Sequence, residues 1–373
     1  MTFPIERAAV RMTELESWLH EQLARATGQK SNFQRRSLPA DASHRRYFRL
    51  HTDQGQRFIA VDWPPEYGDC GAFAAIGSSW REQGVYTPAI YAVDSLRGFM
   101  LLEDLGAKLL YESLAEQALS WNTSAARRAH FEPYGKALGV LQTIQGLREA
   151  ESYRRPLYDR SILHREISLF TQWCAAGLLQ LKVPAPVQSL LDAFFDQAIA
   201  SALEQPQVPV HRDFHSRNLL LPGAADELGV IDFQDTVTGP VTYDIVSLLR
   251  DSYLDWPQGL VYQWLDGFAA HSPHLQGVSS AQLHRWFDWM GLQRHFKVLG
   301  IFSRLHVRDN RSEYLQYLPR TFAYIQHVCR VYPELDDLHG WLESVLLPCF
   351  EQQPWWCDFS LHNTISSLRG DLL

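Results

Sequence analysis

The chain has 373 residues, of which 46% are hydrophobic and 20% are charged, with a formal net charge of −8. This length is sufficient for a large buried core and two domains, and the acidic balance argues against nucleic-acid binding, which needs a concentrated cationic surface. Five scattered cysteines, without a CxxC pair, indicate neither a structural zinc site nor a disulfide framework.

The sequence also lacks the signals of export and of membrane insertion. No uninterrupted apolar run approaches the length of a membrane span. The segment from Met1 to Leu23 mixes charged and apolar residues and has no apolar centre like that of a signal peptide. We therefore expect a soluble, cytoplasmic protein with reduced thiols, no membrane contact and no obligate protein partner.

The first hundred residues alternate between helical and strand-like segments. Leu15, Leu19 and Leu23 share one stripe of an amphipathic helix that ends near Gly28. The segments that follow are two strands joined by a turn, a helix and two further strands, at residues 47–51, 57–62, 72–83, 91–93 and 99–102. This order is typical of a small nucleotide-binding lobe, which we place at residues 1–104.

Helical periodicity dominates after Leu105-Gly106, the expected link between two lobes. It is clear at residues 134–145, 162–173 and 187–203, and it resumes from Tyr243 to the end of the chain. We therefore predict an α+β fold with a small β-rich N-terminal lobe and a larger helical lobe at residues 105–373.

One short segment carries most of the chemical information. His211-Arg212-Asp213 is followed by Asn218, then by apolar residues on both sides of a turn, and then by Asp232. Asp213 is placed to accept the proton of an attacking hydroxyl or to orient that hydroxyl, and Asn218 and Asp232 offer the oxygen ligands that Mg²⁺ prefers. A hairpin at 219–233 would bring these two ligands together at its open end. The pattern of the loop 211–218 and this hairpin predicts phosphoryl transfer.

These residues resemble the catalytic core of the aminoglycoside phosphotransferase and choline kinase family, which has a protein-kinase-like fold. His215, two positions after Asp213, favours the small-molecule kinases of this family over protein kinases. The resemblance extends over most of the chain and includes the segments 43–50, 101–106, 239–244, 247–251 and 297–302. It is strongest to the branch that phosphorylates N-acetylmuramate and N-acetylglucosamine at the anomeric hydroxyl in peptidoglycan recycling. It implies ATP as co-substrate, Mg²⁺ as cofactor and a small amino sugar as acceptor.

The resemblance also suggests where the nucleotide binds. The hydroxyl of Ser43 and nearby backbone amides could cover the phosphates, although the segment could equally be an ordinary polar turn. At the link between the lobes, the backbone groups of Glu103 and Leu105 are the expected partners of adenine.

One departure from the family pattern concerns the phosphate-binding lysine of the second strand. The segment 57–62 contains no lysine, and Asp62 falls near the expected position. The amino-sugar kinases share this departure. Arg46 and Arg49 are the candidates for the missing cation.

Three further residues are expected to support the catalytic loop. His211 and His215 are better explained as residues that hydrogen-bond the backbone than as catalytic acids or metal ligands. Asp244, after Gly239-Pro240, resembles the buried aspartate that braces this loop in the family.

The acceptor site is least defined. Residues 293–307 read as a helix, with Lys297, Arg304 and Arg308 recurring at spacings of seven and four on one stripe. This stripe is either a solvated face or the edge of the acceptor cleft, where it would meet the lactyl carboxylate of N-acetylmuramate. Two other hypotheses remain open: an antibiotic- or choline-type kinase, and an inactive nucleotide-binding module, which the missing lysine suggests.

Overall fold

The first unit of the chain contains a five-stranded antiparallel sheet. The computed structural model describes residues 4–38, 44–118, 124–150, 153–221, 227–359 and 361. The elements of this part are α1 (Pro4–Thr27), β1 (Phe33–Ser37), β2 (Arg46–Thr52), β3 (Arg57–Asp62), α2 (Cys70–Glu82), β4 (Ile90–Asp94) and β5 (Phe99–Glu103). The strand order is β1-β2-β3-β5-β4. The predicted strands and helix of this region are confirmed, and β1 is an additional edge strand.

Helix α1 packs on one face of this sheet. Its buried residues Leu15, Leu19 and Leu23 recur every four positions, so they form one apolar stripe. The stripe contacts side chains of the strands, among them Phe48 and Leu101. Burial of this apolar surface is the main favourable contribution to the stability of the unit.

The remaining elements follow in chain order. They are α3 (Leu110–Ala118), α4 (Ser124–Gln145), α5 (Arg160–Ile167), α6 (Ala185–Leu203), β6 (Gln207–Val210), β7 (Leu219–Leu220), β8 (Gly229–Val230), β9 (Val237–Pro240), α7 (Tyr243–Leu249), α8 (Gln258–His271), α9 (Ser280–Asp309), α10 (Leu318–Cys329), α11 (Asp336–Trp341) and α12 (Leu347–Glu351), with π-helical segments at Phe170–Leu178 and Leu342–Leu346. Strands β6 and β9 form one two-stranded sheet, and β7 and β8 form another.

Contacts divide the chain into two compact units. Residues 1–108, 147–154 and 220–234 form the first, and the rest of the chain forms the second. The first unit therefore extends beyond the predicted boundary at residue 104 and includes most of the hairpin that we assigned to the helical lobe. Hydrogen bonds explain this membership, because the Val230 amide donates to the Tyr86 carbonyl and the Leu221 amide donates to the Lys108 carbonyl.

Helix α9 is the centre of the second unit. The Ser279 hydroxyl caps its first turn by accepting a hydrogen bond from the Gln282 amide, and Asn310 ends the helix in the left-handed conformation, with φ of 55°. Gly300 lies against the backbone of Leu169, so that a Cβ at this position would overlap it. The predicted helix at 162–173 is two elements: α5 ends at Ile167, and the π-helical segment begins at Phe170.

The predicted α+β class is confirmed. No helix in the described part of the chain is both long and apolar enough to cross a membrane.

Candidate active site

The catalytic loop begins directly after β6, and a buried carboxylate holds its first residues. The backbone amide of His211 donates to Asp244 Oδ2 at 2.6 Å, and the amide of Arg212 donates to Asp244 Oδ1 at 3.0 Å. Asp244 lies in the first turn of α7, where the helix dipole favours a negative charge. Burial raises the pKa of Asp244 to about 7, in opposition to the two amides, which lower it. Asp244 therefore has the position that a bracing residue requires.

Backbone strain occurs at the same place. Arg212 has φ of 78°, in the left-handed region that non-glycine residues rarely adopt. The two hydrogen bonds to Asp244, donated by the amides of Arg212 and of the residue before it, hold this conformation, which costs about 1–3 kcal/mol. The ring of His211 is fully buried and packs edge-on against Phe214. The structural role expected for His211 stays a prediction.

A second aspartate holds the other end of the loop. Asp251 Oδ2 accepts hydrogen bonds from the Ser216 amide at 3.0 Å and from the Ser216 hydroxyl at 2.6 Å. Asp251 Oδ1 accepts from the amide of Tyr253 at 2.9 Å. We assigned no role to Asp251 from the sequence, although the segment 247–251 was part of the family resemblance. The ring of His215 contacts Tyr253 edge-on.

Within the loop, Asn218 is oriented by Asp213. The side-chain amide nitrogen of Asn218 donates to the main-chain carbonyl of Asp213 at 2.9 Å. Because the nitrogen takes part in this bond, the other end of the amide, the oxygen, is the group that can serve as a metal ligand. The orientation of the side chain thus fits the predicted role.

The carboxylate of Asp213 is partly exposed and faces two cations. Arg294 Nη2 lies 3.9 Å from Asp213 Oδ1. Burial raises the pKa of Asp213, but the charges of Lys297 and Arg294 outweigh this effect and place the pKa well below its usual range. Asp213 is therefore ionised at neutral pH. The role of Asp213, as the residue that orients the acceptor hydroxyl or as the general base, stays a prediction.

A buried ion network lies behind these residues. Glu166 of α5 pairs with the guanidinium of Arg212, and Lys297 Nζ lies 3.0 Å from Glu166 Oε2. Tyr158 donates a hydrogen bond to Glu166, and Lys297 donates another to the hydroxyl of Tyr243 at 2.9 Å. Burial raises the pKa of Glu166, but the charges of Lys297 and Arg212 together have a larger effect in the opposite direction. The pKa of Glu166 therefore lies below its usual value.

This network requires a correction to the expected cationic stripe. Helix α9 contains Lys297, Arg304 and Arg308 as predicted, but the side chain of Lys297 is only 6% exposed and that of Arg308 is 55% exposed. Lys297 does not share a solvated face with the other two, because its ammonium group binds Glu166 and Tyr243. Arg308 pairs with Asp309. A contact of Arg304 or Arg308 with an acceptor remains a prediction.

In the first unit, Asp232 has a conformation similar to that of Arg212, with φ of 64°. Its Oδ1 accepts a hydrogen bond from Gln234 Nε2 at 2.9 Å and lies 3.5 Å from Arg45 Nη1. The next residue, Phe233, is fully buried and stacks on Phe73 with a centroid distance of 4.6 Å. This packing fixes the backbone from which the Asp232 carboxylate projects. Arg45 lies in the segment 43–50 that contributes to the family resemblance, but only Ser43, Arg46 and Arg49 were predicted there as site residues.

The two arginines proposed to replace the lysine already have carboxylate partners. Arg46 and Arg11 both bind Asp62, which is fully buried at the end of β3. Arg49 lies 2.8 Å from Asp104 and donates to the carbonyl of Gly106 at 2.7 Å. Asp62, which falls near the expected lysine position in the sequence, therefore binds two arginines.

The expected adenine partners lie at the end of β5. The amide of Glu103 donates to the Ala89 carbonyl, and its carboxylate binds Arg81 and the amide of Ala89. Leu105 is buried. Ser43 lies outside the described residues, so its expected phosphate contact stays a prediction.

The oxygen donors of the candidate site suit Mg²⁺, which takes few protein ligands, better than a metal ion that is bound entirely by protein side chains. No group of three or more His, Cys, Asp or Glu side chains that could hold a metal lies within the described ranges. Mg²⁺ is usually held by one or two carboxylates, with substrate phosphates and water as its remaining ligands. The amide oxygen of Asn218 and the carboxylate of Asp232 are each donors of the kind that Mg²⁺ binds, and their predicted role as its ligands stays a prediction.

Two curated relatives match nearly the whole chain. One, from Pseudomonas putida, is 36% identical over 337 residues, which is 88% of this chain and 95% of the relative. The other, from Neisseria meningitidis, is 34% identical over 342 residues, or 90% of this chain and 96% of the relative. Both are named N-acetylmuramate/N-acetylglucosamine kinase.

Solved structures share the fold at low sequence identity. An ethanolamine kinase from Plasmodium vivax has a TM-score of 0.56 at 13% identity, with 82% of this chain and 84% of that chain covered. An aminoglycoside phosphotransferase with bound ADP has a TM-score of 0.53 at 14% identity, with 83% and 96% covered. The expected kinase-like fold is confirmed. The profile of the phosphotransferase enzyme family matches residues 34–279. The chain therefore belongs to the phosphotransferase enzyme family.

Proposed function

We propose that this enzyme transfers the γ-phosphoryl group of ATP to the anomeric hydroxyl of an amino sugar, N-acetylmuramate or N-acetylglucosamine. The observation that carries the proposal is the match to two kinases of this name over 95% and 96% of their own lengths. We place the reaction in the cytoplasm, in peptidoglycan recycling.

Asp213 orients the acceptor in this proposal. The acceptor oxygen attacks the γ-phosphorus, the bond from that phosphorus to the bridging oxygen breaks, and ADP leaves with the bonding electrons. The hydroxyl proton is hydrogen-bonded to the Asp213 carboxylate during the attack, and as the new oxygen–phosphorus bond forms this proton passes by way of the carboxylate to water. The low pKa of Asp213 keeps this group ionised and ready to accept the hydrogen bond.

Asn218 and Asp232 would hold Mg²⁺. The ion, when bound, neutralises charge on the nucleotide phosphates. The amide orientation of Asn218 and the partly exposed carboxylate of Asp232 support this assignment. Ser43, Arg46 and Arg49 would contact the phosphates, and the backbone of Glu103 and Leu105 would contact adenine.

A panel of acceptors tests the function. The purified full chain is incubated with ATP and Mg²⁺ and with N-acetylmuramate, N-acetylglucosamine, choline or an aminoglycoside, and ADP release is measured. Phosphorylation at the anomeric hydroxyl blocks ring opening, so ADP release should be accompanied by an equal loss of reducing ends.

The same panel separates the alternatives. ADP release with choline or the aminoglycoside alone would assign a different acceptor class. No release with any acceptor, together with retained ATP binding, would indicate an inactive nucleotide-binding module. An Asp213→Asn variant purified in parallel controls for contaminating kinases. A contaminant would give the same ADP release in both preparations, whereas activity of this enzyme should fall in the variant.

A further inference from the structure

Arg217 lies on the catalytic loop inside a cage of tyrosines. Its guanidinium carbon is 3.9 Å from the ring centroid of Tyr253, 4.9 Å from that of Tyr111 and 5.0 Å from that of Tyr317. It also donates a hydrogen bond to the Tyr317 hydroxyl. Tyr253 packs edge-on against both other rings, at 6.2 Å and 4.8 Å, so the cage is held together without the arginine.

Arg217 differs from the other arginines around the loop. Arg212 pairs with Glu166, and Arg294 lies within 3.9 Å of Asp213. The fully buried Arg250 pairs with Asp288 at 2.8 Å. Within the described residues, Arg217 has aromatic and phenolic partners but no carboxylate partner.

This arrangement suits an anion supplied by a ligand. A half-buried cation has lost part of its hydration, and tyrosine rings compensate for only part of that loss. A planar guanidinium binds a carboxylate through two parallel hydrogen bonds, which makes it selective for that group.

The position of Arg217 relates it to the reacting hydroxyl. The His215 amide donates to the Asp213 carbonyl at 3.0 Å, and the Asn218 amide donates to the His215 carbonyl at 2.9 Å. The loop therefore folds into two consecutive turns between Asp213 and Asn218, with Arg217 in the second. In N-acetylmuramate, the anomeric hydroxyl at C1 and the lactyl ether at C3 are substituents of one sugar ring. Two residues of one loop, Asp213 and Arg217, can therefore contact the hydroxyl and the lactyl group of the same molecule.

We propose that Arg217 is the specificity-determining residue that binds the lactyl carboxylate of N-acetylmuramate. This inference rests on the proposed function. It places the binding site of the lactyl carboxylate on the catalytic loop and not at Arg304 and Arg308 of α9. N-acetylglucosamine has no carboxylate and does not use this contact.

The test is the ratio of kcat/KM for N-acetylmuramate to kcat/KM for N-acetylglucosamine. In Arg217→Met this ratio should fall about tenfold to a hundredfold, the range for loss of a charge-assisted contact. The fall should come from a higher KM for N-acetylmuramate, because the carboxylate is remote from the transferred phosphoryl group. Arg217→Lys, which keeps the charge but not the planar fork, should show an intermediate ratio.

The methyl ester of N-acetylmuramate isolates the carboxylate. Wild-type enzyme should use the ester less efficiently than the free acid, and Arg217→Met should not distinguish the two. Arg285→Met is the matched control, because Arg285 also stacks on aromatic rings, at 4.7 Å from Trp289, but pairs with Glu334 far along the chain from the loop. Its acid-to-ester ratio should equal that of wild type.

Three results would overturn the inference. They are an unchanged sugar ratio in both Arg217 variants, an equal loss for acid and ester, and a rise in the KM for ATP with equal effects on both sugars. The last would assign Arg217 to the nucleotide phosphates. Failure of the proposed function is distinct, because wild-type enzyme would then phosphorylate neither sugar.

Discussion

Replacement of Glu166 by glutamine should destabilise the second unit while its shape is preserved. Glu166 is buried, and its two oxygens bind Arg212, Lys297 and Tyr158. Glutamine keeps one oxygen that can accept from Lys297 and Tyr158. Its amide nitrogen would replace the oxygen that binds Arg212, and a nitrogen donor cannot pair with a guanidinium. Removal of one charge from a buried pair costs about 3–5 kcal/mol, and we expect about 3 kcal/mol because one acceptor is retained.

The assay is urea unfolding of wild type and variant, followed by the far-ultraviolet circular dichroism and repeated at several pH values. The pKa of folded Glu166 lies below its unfolded value, so the ionised group stabilises the fold at neutral pH, and this contribution is lost as the pH falls through the folded pKa. The difference in unfolding free energy between wild type and Glu166→Gln should therefore become smaller at acidic pH.

A matched surface pair provides the control for this prediction. Asp196 pairs with Arg160 at 3.0 Å, and both side chains are more than half exposed. Asp196→Asn should cost at most about 1 kcal/mol. If Glu166→Gln and Asp196→Asn unfolded at the same urea concentration, the network would not have the energetic importance that we assign to it.

The remaining predictions concern the reaction itself. Asp213→Asn should lower kcat by about two orders of magnitude or more while the KM for ATP changes little, because the interaction is needed mainly in the transition state; near-native turnover would contradict the orienting role. Asp232→Ala should abolish Mg²⁺-dependent nucleotide binding, measured by calorimetry with and without Mg²⁺, and undiminished binding would exclude this residue as a ligand. Arg46→Ala and Arg49→Ala separate two roles: loss of their ion pairs should lower the unfolding temperature, and a phosphate role should in addition raise the KM for ATP. A KM for ATP equal to that of wild type in both variants would leave the missing cation to another residue.

The catalytic loop was predictable because its information is local. The residues His211, Asp213 and Asn218 fall within eight positions, and each has a chemically distinct side chain. The strands and helix of the first sheet were predictable for a similar reason, since period-two segments are interrupted there by strong turn sequences such as residues 52–55.

The partners of the loop were not predictable in the same way. Glu166 lies on α5, Arg294 lies on α9, and nothing in their local sequence distinguishes them from surface charges. The strands β6 and β9 were missed because Val-Pro-Val and Thr-Gly-Pro are poor strand sequences, and only their pairing with each other makes them strands. The burial of Lys297 was not predicted for the same reason. Its position on the helix follows from local spacing, but its partner Glu166 lies on a different element.

The membership of 220–234 in the first unit has a consequence during protein synthesis. Phe233 fills a space beside Phe73 and Gly77, where a Cβ on Gly77 would lie 2.8 Å from the Phe233 ring. A ribosome that has translated only to Lys108 has produced the whole five-stranded sheet but not the residue that covers this side of α2. The first unit can therefore reach its final packing only after more than half of the chain has been synthesised, and the side of α2 that carries Phe73 lacks its Phe233 contact until then.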